Sequence, residues 1–148
     1  MSQNEVQAAS RLYDAFNNGD LELFARGISK DLIWNEAESS LHCAGNPYRS
    51  FAAVRDGVFA PTLRDFRGFQ VDLEQLIDAG EYVIGTGRYR GTSTETGGEL
   101  SAQFCHILHL DADGKLDRLQ EYTDTLHEAQ VTGRTQQIEK MQILQPAL

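Results

Sequence analysis

Glu36 stands two residues beyond Trp34 in the stretch Leu32-Ile33-Trp34-Asn35-Glu36, a spacing that could give it acid–base chemistry. Side chains two apart on a strand share a face, so Leu32, Trp34 and Glu36 point together as long as the strand continues. Leu32 and Trp34 mark that face as the buried one. A carboxyl held against apolar and aromatic walls has its neutral form favoured, the condition for proton exchange near neutral pH. Alternatively the strand ends at Asn35 and Glu36 is solvated; the stretch by itself does not choose.

His106 is the second candidate. Along 101–110, Ala102, Phe104, Leu108 and Leu110 share an apolar face with His106 at its middle, opposite Ser101, Gln103, Cys105, Ile107 and His109. The alternation turns His106 inward, where an imidazole serves either as a hydrogen-bonded core residue or as an acid and donor. Cys105, His106 and His109 do not make a metal set, because 105 and 106 face opposite ways, as do 106 and 109. No metal is expected.

Glu121 shares a face with Leu119 and Thr123, opposite Arg118, Gln120, Tyr122 and Asp124. Leu119 argues for one face as the inner one and Tyr122 for the other, so the period leaves Glu121 undecided. On the preceding strand 82–90, Val83, Gly85, Gly87 and Tyr89 share a face whose small residues leave space beneath them. Tyr89 either lines that space or fills it. Gly-Thr-Gly-Arg at 85–88 is not followed by a helix start and is no phosphate loop. No Gly-x-Ser-x-Gly occurs, so serine hydrolysis has no support.

The elements that must position these residues are readable in outline. Val6, Ala9, Leu12, Tyr13 and Phe16 recur at helical spacing, and Gly19 suits the residue just past a helix end. Asp20 then caps a short helix with Leu21, Phe24 and Ile28 as its stripe. Residues 37–49 are loop-like, and Ser50 caps a third helix carrying Phe51, Val54, Val58 and Phe59, which Pro61 should end or restart near Ala60. From residue 66 the period changes to two. Strands follow around 69–73, 83–90, 101–110 and 116–122, joined through Gly97-Gly98 and Asp111-Ala112-Asp113-Gly114. Residues 131–148 read as a tail, with a helix near 135–144 carrying Ile138, Met141 and Leu144.

The expectation is one α+β domain over 1–130, with helices packed on one face of a curved, antiparallel meander. Such a bent sheet closed by helices forms a cone around an apolar ligand pocket. With 148 residues the chain suits one domain, and 41% apolar and 24% charged residues are ordinary for a soluble protein. A formal charge of −9 and the absence of any basic run argue against nucleic acid. The two cysteines give no disulfide framework, and no apolar segment is long enough to span a membrane. No signal peptide is evident at the N-terminus, so a cytoplasmic protein is expected.

In order and spacing, several motifs together resemble the SnoaL-like polyketide cyclases and ketosteroid-isomerase-like proteins of the NTF2-like superfamily. They are Ala15-Phe16-Asn17-Asn18-Gly19-Asp20, Trp34-Asn35-Glu36, Asp78-Ala79-Gly80, Gly87-Arg88-Tyr89-Arg90-Gly91, Asp113-Gly114-Lys115 and Gln120-Glu121-Tyr122-Thr123-Asp124-Thr125. The resemblance implies the cone-shaped NTF2-like (cystatin-like) fold with three N-terminal helices on a mixed or antiparallel sheet. It puts Glu36 where ketosteroid isomerases hold their general base, and His106 where they hold a neutral acid donating to the enolate. Glu121 falls near the acid that cyclases and limonene-type epoxide hydrolases use on the last strand, which favours its inward orientation. The isomerases' oxyanion tyrosine falls at Leu12, beside Tyr13, and one residue rotates a helical side chain by about 100°. Steroid isomerisation is therefore not implied. Gly87 and Tyr89 occupy the positions of the hydrolases' Arg-x-Asp pair, which argues against epoxide hydrolysis.

The resulting expectation is a small acid–base enzyme of isomerase, cyclase or dehydratase type, acting on an apolar carbonyl-bearing molecule. Glu36 abstracts a proton, His106 with Tyr89 or Tyr13 stabilises the enolate, and Glu121 relays the proton. Trp34, Phe59, Phe104 and Leu119 shape the pocket. No cofactor is required, and homodimerisation through the outer sheet face is implied by the resemblance. The alternative is a non-catalytic small-molecule-binding or dimerisation module of the same fold.

Overall fold

Apolar residues at helical spacing bury one stripe of α1 (Ser2–Asn17), with Ala9, Leu12, Tyr13 and Ala15 all buried. The computed structural model describes residues 2–134. Gly19, at φ +72°, closes α1 in a left-handed conformation that costs a glycine nothing. Asp20 starts α2 (Leu21–Arg26) by accepting from the Leu23 N–H at 3.0 Å. β1 (Ile28–Asn35) follows, then a loop with a single 3₁₀ turn at Cys43–Gly45.

Ser50 Oγ accepts from the Ala53 N–H at 3.0 Å and opens α3 (Phe51–Val54). The helical run does not end at Pro61. It widens into a π-turn at Arg55–Phe59 and restarts as α4 (Ala60–Asp65), with Pro61 in the first turn, where a missing N–H costs least. The remaining strands are β2 (Phe66–Ala79), β3 (Tyr82–Ser93), β4 (Glu99–Leu110) and β5 (Leu116–Thr123).

The strand order is β1-β5-β4-β3-β2. β2 to β5 form the expected antiparallel meander, whereas β1 adds to β5 in parallel, which makes the curved sheet mixed. Register sets the inner face: Gly85 lies opposite His106, and His106 opposite Glu121. On β5, Leu119 and Glu121 are buried while Tyr122 is 55% exposed, which settles the face that the period left open. On the outer side of β4, Glu99, Ser101 and Gln103 are exposed and Cys105, Ile107 and His109 half-buried, whereas Phe104, His106 and Leu108 are buried on the inner side.

α5 (Thr125–Thr132) follows β5, capped by Asp124, whose Oδ1 accepts from the His127 N–H at 3.1 Å. It runs across residue 130, where the sequence suggests a change from domain to tail. α5 is docked on the domain through buried Ala129 and Thr132, and beyond it Arg134 reaches Asp65 at 3.2 Å and Glu95 at 2.8 Å. The helix expected near 135–144 lies outside the described residues. No helix among the described residues is long and apolar enough to cross a membrane.

Candidate active site

The strand carrying Trp34 does end at Asn35, yet Glu36 is only 6% exposed. Each of the two alternatives read from the sequence is therefore half right. Asn46 takes over where the ladder stops: its Oδ1 accepts from the Glu36 N–H and its Nδ2 donates to the Glu36 carbonyl, both at 2.8 Å. Tyr48 pairs its backbone with Trp34 on the same side. The side chain is aimed by Trp34, whose Nε1–H donates to Glu36 Oε2 at 2.8 Å. Burial pushes the Glu36 carboxyl well above its ordinary range, the nearby Glu121 pushes it further, and the Trp34 bond opposes both.

Glu121 is held by two donors. The Ala37 N–H reaches Oε1 at 3.1 Å, and Tyr89 Oη lies 2.5 Å from Oε2. Burial raises this carboxyl too, against those two hydrogen bonds. Two buried carboxyls that repel one another titrate as a pair, and between its two steps the pair carries one proton.

His106 joins Glu121 to the first helix. Its Nε2 lies 2.5 Å from Tyr89 Oη and its Nδ1 2.7 Å from Tyr13 Oη. Burial drives the imidazole down to about 3, so it is neutral and has one N–H and one acceptor nitrogen. The chain Tyr13–His106–Tyr89–Glu121 then has two polarities. With Glu121 ionised, Tyr89 donates to it, Nε2–H donates to Tyr89, and Tyr13 donates to Nδ1. With Glu121 protonated every bond reverses, and the Tyr13 hydroxyl is left free to donate to a ligand. Both phenols are held above their ordinary range, chiefly by burial, and so keep their protons.

Tyr13 thus takes the place beside His106 that a one-residue shift on the helix argued against. Leu12 and Tyr13 both line the cavity, but only Tyr13 carries a hydroxyl to His106. Gly85 makes room for it: a Cβ there would overlap Tyr13 Oη.

The cavity spans about 840 Å³ counting its open mouth, within the range of small-molecule sites. Trp34, Glu36, Phe59, Tyr89, His106, Leu119 and Glu121 line it, together with Phe16, Phe24 and Leu108. Phe104 does not. It lies behind the wall, its ring centroid 4.3 Å from that of His106 and 4.7 Å from that of Tyr89, and it fixes both rings by stacking.

Among the lining residues that the sequence did not single out are Ser40 and His42 in the loop after β1, and Glu128 on α5. Glu128 is raised to about 8, first by burial and then by the charges of Glu121 and Asp124. The available signal was Asp124 as a helix cap, which starts α5 immediately after β5 and carries Glu128 back over the sheet.

The fold and cavity have counterparts. A solved NTF2-like protein from Burkholderia thailandensis is 31% identical, with 86% of this chain and 95% of that one covered and a TM-score of 0.80. TerC, crystallised with polyporic acid, is 21% identical over 88% of this chain and 98% of its own, with a TM-score of 0.77. IdmH, a candidate polyketide cyclase from Streptomyces antibioticus, is 23% identical over 87% of this chain and 98% of its own, with a TM-score of 0.73. No curated protein matches the chain. The model of the SnoaL-like domain matches residues 9–119, from the first helix that carries Tyr13 to the last strand just short of Glu121. A match over that much of the chain, on a mixed sheet of this topology, makes the protein a member of the SnoaL-like family with an NTF2-like fold.

Proposed function

We propose that the protein is an acid–base enzyme acting on an apolar, carbonyl-bearing small molecule, with isomerisation, cyclisation or dehydration as its outcome. The observation that carries this is the pair Glu36 and Glu121 buried on one cavity, with the Tyr13–His106–Tyr89 chain leading from one of them. IdmH's description as a candidate cyclase and TerC's bound polyporic acid give the same fold a precedent for small-molecule work.

Glu121, which accepts from the Ala37 N–H and Tyr89, is the favoured anion of the pair, and the reactive form is the other one-proton state, with Glu36 ionised and Glu121 protonated. Glu36 takes a proton from the carbon next to the carbonyl, and the electron pair of that C–H bond moves into the carbonyl to make an enolate. Tyr13 donates its proton to the enolate oxygen and recovers one from His106 Nδ1. His106 is reprotonated at Nε2 by Tyr89, and Tyr89 by Glu121. The products are an enol, a protonated Glu36 and an ionised Glu121, so the carboxyl pair holds one proton before and after the step. No buried charge is created, which is the advantage of a low-dielectric site arranged in this way.

Deuterium exchange at the α-carbon of 2-tetralone, followed by NMR, tests the proposal directly. Wild type catalyses exchange, and Glu36→Gln loses at least ~100-fold of it, the usual contribution of a positioned base. A Gln variant as active as wild type removes Glu36 from the mechanism. Absence of exchange by wild type across a panel of bicyclic ketones would favour a binding module. The proposal extends to a cytoplasmic homodimer joined through the outer sheet face, where Tyr122 is exposed; sedimentation showing monomer alone would remove the dimer.

A further inference from the structure

Three polar atoms belonging to cavity-lining side chains are cut off from bulk solvent without a hydrogen-bond partner among the described residues: Ser40 Oγ, His42 Nε2 and Glu128 Oε1. Buried polar atoms are nearly always paired in folded proteins, so each such exception calls for a reason. Three on a single cavity share one.

Their backbones are firmly held. The Ser40 N–H donates to the Ala37 carbonyl at 3.0 Å, and Tyr48 Oη donates to the His42 carbonyl at 2.6 Å. Thr132 Oγ1 donates to the Glu128 carbonyl at 2.8 Å. The loop and α5 are therefore ordered through other contacts, and these side-chain atoms take no part in holding the fold. The relay from Glu121 to Tyr13 does not use them either.

Their chemistry is neutral and two-sided. A serine hydroxyl both donates and accepts, and an unprotonated imidazole offers one of each. Burial lowers His42 despite the nearby Asp65, with Arg134 and Arg64 acting in the same direction as burial, so the ring carries no charge at neutral pH. Glu128, raised to about 8, is mostly the uncharged acid there. Such a set suits a neutral oxygen substituent and has no fixed charge to pair with a phosphate or an ammonium.

We propose that Ser40, His42 and Glu128 form a second polar subsite that takes a hydroxyl or a second carbonyl of the substrate, the reacting carbonyl lying at Tyr13 and His106. The substrate is then a polyoxygenated molecule with an apolar body, not a monofunctional ketone. This rests on the acid–base reading for the position of the reacting carbonyl, and the two can fail separately.

The probes are 2-naphthol and the 1,5-, 2,6- and 2,7-dihydroxynaphthalenes, with affinities measured by calorimetry for wild type and for Ser40→Ala, His42→Leu and Glu128→Gln. In wild type at least one diol binds about tenfold or more tighter than 2-naphthol, as one added buried hydrogen-bonded group allows. That ratio falls below about threefold in at least two of the three variants. If no diol shows the advantage, or if it persists in two or more variants, the subsite is overturned. Ser40→Ala deletes one oxygen and Glu128→Gln is isosteric, so both keep the fold intact for the comparison. Tyr13→Phe separates the two proposals. Weaker binding of 2-naphthol and diol alike upholds the carbonyl end, whereas unchanged affinities overturn that end and leave the diol ratio to decide the subsite.

Discussion

Tyr89 Oη lies 2.5 Å from both His106 Nε2 and Glu121 Oε2. A phenol has one proton and cannot donate to both. Whichever neighbour holds a proton of its own sets the direction of the whole chain, so the protonation of Glu121 is communicated to Tyr13 on the far side of the imidazole.

Removing that hydroxyl breaks the communication while leaving the ring in place. Tyr89→Phe is expected to lower α-carbon deuterium exchange in 2-tetralone by ~10–100-fold, within the range for a proton-transfer group. In wild type the tautomer of His106, read by ¹⁵N NMR, switches as Glu121 titrates. In the variant it does not. A switch that persists in Tyr89→Phe would contradict the relay.

The two carboxyls can be separated by removing one charge. In Glu121→Gln, Glu36 loses a like-charged neighbour and ionises more easily, so its midpoint moves down; burial still keeps it above the ordinary carboxylate range. A ¹³C carboxyl titration measures this. A Glu36 midpoint that does not move shows that the pair is not coupled.

Glu128 ties stability to pH. Its folded value is raised from an ordinary 4.5 to about 8, so between those values the folded protein keeps a proton that the unfolded chain releases. Its contribution to stability is complete below 4.5 and is lost as pH rises through 8. Glu128→Gln has no such loss. Denaturant unfolding at pH 5 and pH 8 should show the variant gaining on wild type at the higher pH, by at most ~1.4 kcal/mol for each pH unit between the two conditions. An unchanged gap would mean that Glu128 ionises as freely when folded as when unfolded.

Gly85 is where the sheet makes space for the relay. Gly85→Ala forces Tyr13 Oη aside and is expected to destabilise by ~1–3 kcal/mol, the usual range for overpacking a filled core. In a Tyr13→Phe background the overlapping oxygen is gone, and the same substitution should cost less. Unfolding free energies for the four proteins of this double-mutant cycle give the coupling directly. Additive effects would show that the hydroxyl is not what the glycine accommodates.

The sequence determined what lies within the reach of local geometry. The alternation of β4 turned His106 inward, the small residues of β3 left a space, and Asp20 and Ser50 marked helix starts that the structure retains. Each of these follows from the two-residue repeat of a strand or from a capping side chain's bond to the backbone three residues on, and needs no knowledge of what packs against it. The family resemblance, carried by the order of six short motifs, supplied the cone and an inward Glu121.

Tertiary structure decided the rest, because it depended on which distant element arrives. Glu36 stays buried past the end of its strand only because Asn46 replaces the missing ladder bonds. The face of β5 was ambiguous with Leu119 on one side and Tyr122 on the other, and its pairing to His106 on β4 resolved it. Glu128 lines the cavity from α5, a helix that the sequence reading did not place, and Phe104 lies behind the wall as a support. Tyr13 meets His106 across 93 residues of chain. A strand's period says which residues share a face, but only the helices folded over that face decide whether a buried carboxyl there is solvated, paired or poised to move a proton.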